Sequence, residues 1–184
     1  MLIFFDAEMT DLCPDRKLIS IGFVSEDGER EFYAELSDTY QLSDCSDFVR
    51  EAVLPNLQGG EARMIMRDLS VSFIRWIIGF DERVQLATDS LQWDWPWIEV
   101  IYAEAGAFML EKSLAWDDMK DSPRRLAGVA RPANTGDGQP FALQQTDAFN
   151  VAVEKAFESG LRCHNALDDA KANRFAWLAT KGSQ

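Results

Sequence analysis

"KLISIGFVSEDGEREFYAEL", residues 17–36, carries the pattern that decides the architecture. Two apolar runs, Leu18 to Ser25 and Glu31 to Leu36, read as strands. The "EDGE" between them is a hairpin turn, because Asp-Gly tolerates the positive φ that a tight turn needs. The preceding "MLIFFD" is a short apolar run ending in acid and suits a buried strand, so three consecutive strands open the chain as a meander. The pattern then changes. "SDFVREAVLPNL" is helical up to Pro55, and "EARMIMRDLSVSFIRWIIGF" repeats its apolar residues at three and four (Met66, Leu69, Phe73, Ile77, Phe80), as a helix laid on a sheet does. "RVQLAT" is a short strand, and "DWPWIEVIYAEAGAFMLEKSL" is mostly helical, with Pro96 suited to its first turn. Prolines and glycines make residues 121–147 a long loop. Two helices close the chain, one capped at Thr146 or Asp147 and ended by Gly160, the other from about Asn165 to Ala179. The expected fold is α/β: a mixed five-stranded sheet, antiparallel meander then parallel strands, flanked by helices in one domain spanning residues 1–184.

Thirty-one acidic residues against 18 basic ones leave a net charge of −13 among 184 residues. Such a surface repels nucleic acid at long range, since phosphate binding relies on Lys and Arg displacing counterions. Any nucleic acid handled here is short, locally gripped or met through bound cations. Cys13, Cys45 and Cys163 show no CxxC spacing and cannot all pair, which suits a reducing cytoplasm without a zinc site. The start has no basic region ahead of its apolar run, unlike a signal peptide, and Arg75 interrupts the most apolar stretch, so no membrane association is expected.

Acids stand where a fold alone does not ask for them. Asp6 and Glu8, two apart on the first strand, point to one face and can converge on one cation. In "TDSLQWDWPWI", Asp94 follows the strand that ends near Ala87. In "CHNALDDAKANRF", the single histidine of the chain, His164, precedes Asp168 and Asp169 at the start of the last helix. Asp169 lies beside the stripe through Ala166, Ala170 and Trp177 and can face the sheet, whereas Asp168 turns toward the surface. Taken singly, these are also what a polar strand end or an acidic helix start would show.

Together and in this order, they resemble the DEDDh 3′–5′ exonucleases. "FFDAEMTDL" and "HNALDDA" are similar to the first and third motifs of oligoribonucleases. The stretches at residues 18–36 and 46–57 and "TDSLQWDW" look closest to small bacterial and phage exoribonucleases of the RNase AS type. The resemblance covers nearly the whole chain and departs from it over residues 117–147. It implies a ribonuclease H-like fold, two divalent metal ions (Mg²⁺ or Mn²⁺), and a homodimer. It implies Asp6, Glu8, Asp94 and Asp169 as metal ligands, with Asp6 bridging both ions, and His164 as the catalytic base. Substrate contacts fall on Met9, Thr10 and Leu12, just after the first motif, with Glu8 or nearby backbone reading a 2′-OH. Trp93 and Trp95 offer faces for base stacking, and core packing is the other reading of either. Ala7 stands where many relatives carry Thr and Met9 where that branch usually has Phe, departures that bear on base preference.

The chemistry asks for these residue types. Phosphodiester hydrolysis needs charge neutralisation at phosphorus, which hard divalent ions held by oxygens supply. It also needs a group that accepts the water's proton near neutrality, which imidazole suits. Lys120, Arg124, Arg125 and Arg131 near the loop, and Lys171 and Arg174 on the last helix, are candidates to grip single-stranded RNA at its 3′ end. The same site acting on single-stranded DNA is the alternative within the class. A third reading, an acidic protein that mimics nucleic acid to block a basic partner, accounts for the charge but has no use for the histidine and carboxylates in this spacing.

Overall fold

The computed structural model describes residues 1–111 and 139–181. Strands β1 (Leu2–Met9), β2 (Leu18–Ser25) and β3 (Glu31–Leu36) form the antiparallel meander, with Gly28 in the left-handed region (φ 81°) closing the hairpin. β2 is buried along its whole length, so its apolar run has no polar alternation to break it. β4 (Arg63–Met64) joins β3, β5 (Gln85–Thr88) joins β1 and β6 (Phe141–Ala142) joins β5, all three parallel. The order is β4-β3-β2-β1-β5-β6, six strands rather than the five expected. β4 and β6 have two residues each, too few to show a period. β1 also runs past Asp6 to Met9, so the first two acids lie within the strand rather than at its end.

The sheet separates two unlike layers. On one face, α1 (Met66–Ile78) and α2 (Leu91–Glu111) pack against Ile3, Phe5, Ala7 and Phe23, with the Phe23 and Phe73 rings 4.5 Å apart between centroids. Each fully buried phenylalanine contributes about 1.5–3 kcal/mol here. On the other, α3 (Asp147–Glu158) and α4 (Ala166–Thr180) cover Phe4 and Val24 largely with alanines: Ala152, Ala170 and Ala176. Small residues let α4 sit low. A Cβ added at Gly22 of β2 would lie 2.3 Å from the Leu167 nitrogen.

α2 begins earlier than its apolar pattern suggests, so Pro96 falls in the second turn, where it leaves the Gln92 carbonyl without a helical N–H partner. The helical stretch before Pro55 is wound unusually, as a π turn over Val49–Val53 and a tight turn over Leu54–Asn56. Its Val49 and Val53 bury against Ile19 and Cys45. Thr146 caps α3 by accepting the Phe149 N–H, and Asn165 caps α4 by accepting that of Asp168. Among the described residues no helix is long and apolar enough to cross a membrane. Most of the expected loop at 121–147 lies outside the described residues, as do Lys120, Arg124, Arg125 and Arg131.

Candidate active site

β1 and β5 stay paired only as far as Phe4 and Ala87. Beyond that register they part, and a crevice opens at their carboxyl ends, where ligands settle in parallel sheets. Acids reach it from separate elements. Asp6 and Glu8 project from β1 toward the α4 side, while their neighbours Phe5 and Ala7 enter the aromatic layer. Asp94, on the first turns of α2, is 1 % exposed and accepts hydrogen bonds from the Thr88 hydroxyl and the Ala7 N–H. Asp169 comes from the first turn of α4, brought down over Gly22, which pairs with Asp6 in the sheet.

Two trios result. Carboxylate oxygens of Glu8 and Asp169 and a ring nitrogen of His164 lie within 4.8 Å of one another, as do those of Asp6, Asp89 and Asp94. The acids hold their protons tightly. Burial, and then the charges of Asp94, Asp169, Glu8 and Asp89, raise the Asp6 carboxyl well above the usual range. Burial lifts Asp94 to about 8 against the opposing bond from Thr88, and burial together with the Glu8 charge lifts Asp169 to about 9. Glu8 is raised by burial, partly offset by its bond with Asp169 and by His164. So many carboxylates cannot all ionise at neutral pH unless a cation joins them. All donors but one are hard oxygens in a largely half-buried cluster of like charges, a set that could hold a hard divalent ion such as Mg²⁺ or Mn²⁺.

His164 stands two residues before α4 with φ 64°, the left-handed region, and is the sole non-glycine with positive φ among the described residues. That conformation costs a histidine about 1–2 kcal/mol. Its ring meets Phe48 edge-on, centroids 5.0 Å apart.

Around these groups is a cleft of about 520 Å³, lined also by Met9, Leu12, Ser46, Phe48 and Trp93. Of the residues expected to touch substrate, Met9, Leu12 and Trp93 line this cleft. Thr10 and Trp95 do not. Thr10 is buried, and its hydroxyl and N–H tie the loop to Lys17. Trp95 packs against the aromatic layer. Asp168 is not a surface residue either: it is 7 % exposed, and its Oδ2 accepts from the backbone N–H and the Nε of Arg162, the latter at 2.7 Å. Lys171 pairs with Glu31, and Arg174 donates to the Glu26 carbonyl, so both fasten α4 to the hairpin instead of lining the cleft. At the rim, the Arg16 guanidinium lies 4.9 Å from the centre of the Trp93 ring.

Sequence reading passed over Asp89 and Phe48. Asp89 sits in the quoted "TDS", directly after β5, and its oxygens accept from Asn173 (2.8 Å) and Gln145 (3.0 Å). Phe48 is 59 % exposed, an aromatic out of phase with the Val49–Val53 apolar pair. That mismatch is the signal that could have found it. Comparison of the chain with protein-family models and with curated proteins finds no match.

Proposed function

We propose that the chain is a metal-dependent 3′–5′ exonuclease releasing nucleoside monophosphates from the 3′ end of single-stranded RNA. One observation carries the reading: Asp6, Glu8, Asp94 and Asp169, far apart in sequence, surround one cleft with His164 beside them. The mixed sheet, meander then parallel strands, is compatible with the ribonuclease H-like fold that the resemblance implies. Asp94 and Asp89 with Asp6 would hold one divalent ion, and Glu8 and Asp169 a second, with Asp6 facing every other acid of the cluster. When bound, two such ions neutralise the phosphate and stabilise the departing oxygen. His164 accepts the proton of the attacking water, whose oxygen joins phosphorus as the 3′ oxygen of the penultimate nucleotide leaves. Met9, Leu12, Phe48 and Trp93 offer apolar walls to the terminal base and sugar, a recognition that tolerates any base. The preference for RNA rests on the resemblance of residues 18–36 and "TDSLQWDW".

The test is digestion of a 5′-labelled single-stranded RNA and its DNA counterpart, with Mn²⁺ or Mg²⁺ and with EDTA, by wild type and Asp6→Ala. A ladder shortening from the 3′ end that requires both the cation and Asp6 is the expected result. Faster loss of the DNA would reassign the substrate. No cleavage of either strand by wild type with cation present would defeat the enzyme reading and favour the acidic mimic.

A further inference from the structure

The left-handed backbone of His164 is unfavourable by itself and persists only where its neighbours over-determine it. Both neighbours are tied to one residue of another segment, Asn56. The Asn56 amide donates to the Cys163 carbonyl at 2.9 Å and to the Ala52 carbonyl at 2.8 Å. On the other side, the wholly buried Asn165 donates to the Asn56 carbonyl at 3.0 Å, and Arg162 reaches the same oxygen at 3.3 Å. Asn56 is anchored to the sheet in turn. Asn165 also donates to the Tyr33 hydroxyl at 3.3 Å, and that hydroxyl donates to Glu35. The Glu35 carboxylate, 3 % exposed, accepts the N–H groups of Gln58 and Gly59, just past Asn56. The segment so fastened is the one that brings Phe48 against the imidazole and lines the cleft with Ser46, Val49 and Val53.

We infer that Asn56, backed by Tyr33 and Glu35, is a positioning residue: its amide and carbonyl clamp residues 162–165 so that His164 keeps its ring beside Glu8 and Asp169. The catalytic role of His164 rests on the function proposed above; the clamp itself does not. The arrangement also joins two parts of the site. Substrate seated against Phe48 bears on the same segment that orients the base.

Because His164 is the only histidine in the chain, its ring protons give one set of imidazole signals in NMR spectra of the full-length protein. Phe48→Leu measures how far the Phe48 ring current displaces them. In Asn56→Ala most of that displacement should vanish, while kcat for RNA falls by about 10- to 100-fold with KM nearly unchanged. Core methyl signals report whether the variant folds. If it does not, Tyr33→Phe, which removes only the hydroxyl between Glu35 and Asn165, carries the test with the same readouts and a smaller effect. Imidazole signals that stay at their wild-type positions overturn the clamp, as does an unchanged kcat in an active protein. Should wild type cleave no RNA, the imidazole signals still decide the matter, so the two readings fail separately.

Discussion

A single methyl group at Gly22 tests whether the site depends on how low α4 sits. Gly22 pairs with Asp6, and the Cβ of alanine there would lie 2.3 Å from the Leu167 nitrogen, 2.4 Å from its Cα and 2.6 Å from the Ala166 carbonyl carbon. All three are backbone atoms, so no side-chain rotation relieves the clash. Ordinary contact begins near 3.4 Å, so the first turn of α4 must retreat by about 1 Å in a close-packed interior. Overpacking of this kind costs about 1–3 kcal/mol. At about 2–4 °C per kcal/mol for a chain of this size, the melting temperature should fall by several degrees. Asp169 lies on that turn and His164 two residues ahead of it, and a displacement of about 1 Å can cost on the order of 100-fold in rate. The assays are thermal melts with and without Mn²⁺ and the RNA digestion. Gly79→Ala is the comparison away from the site: its Cβ meets a side-chain atom of Arg30 at 2.9 Å and the Trp76 carbonyl oxygen at 3.2 Å, so any loss of stability there should leave the response to Mn²⁺ intact. Wild-type melting and an undiminished response to Mn²⁺ in Gly22→Ala would refute the seating of α4 and the geometry built on it.

The acidic cluster makes a prediction about pH. Folded Asp94 and Asp169 keep their protons up to about 8 and about 9, whereas the unfolded chain releases such protons near pH 4. The folded state therefore binds more protons across that window, and stability should fall as pH rises from about 5 to about 9 in EDTA. Millimolar Mg²⁺ or Mn²⁺ should flatten the decline; melts that are level with pH in EDTA would contradict the shared protonation. The two adjacent aspartates should separate cleanly. Asp168→Asn loses about 1–2 kcal/mol through its bonds to Arg162 and keeps the metal response. Asp169→Asn removes a carboxyl that must take up a proton to fold, so it should melt higher at pH 8 without cation and gain less from added Mn²⁺. The same behaviour in both variants would mean that their roles are misassigned.

Elements with a sustained period were readable. β2 and β3 run over the residues their apolar runs and Asp-Gly turn predict, and Leu69, Phe73 and Ile77 of α1 bury as a stripe at four-residue spacing should. β4 and β6 were not readable, because two paired residues owe their strand geometry to the neighbour they join. In the site, Asp6 and Glu8 were legible as a same-face pair from strand geometry alone. Their meeting with Asp94 and Asp169 was reached only through the resemblance, since no local period relates residues 6, 94 and 169. Asp168 went astray because its partner, Arg162, precedes the helix and so lies outside the 3.6-residue period used to orient it. Trp95 and Trp93 both follow β5, and only the packing of α2 decides which one meets the cleft.

The contrast between the sheet's two faces has a bearing on how such a protein can change. Bulky rings on the α1–α2 side supply much of the cohesion, while the thin alanine layer on the α3–α4 side sets the distance across which Asp169 and His164 act. A new methylene among Phe23, Phe73 and Trp76 strains packing away from the cleft residues, whereas one at Ala170 or Ala176 bears on the helix that carries Asp169. The two sides are therefore unequally free: the rings away from the cleft answer to packing alone, whereas the small residues under α4, and the start of α2 that carries Trp93 and Asp94, are held by the geometry of the site as well.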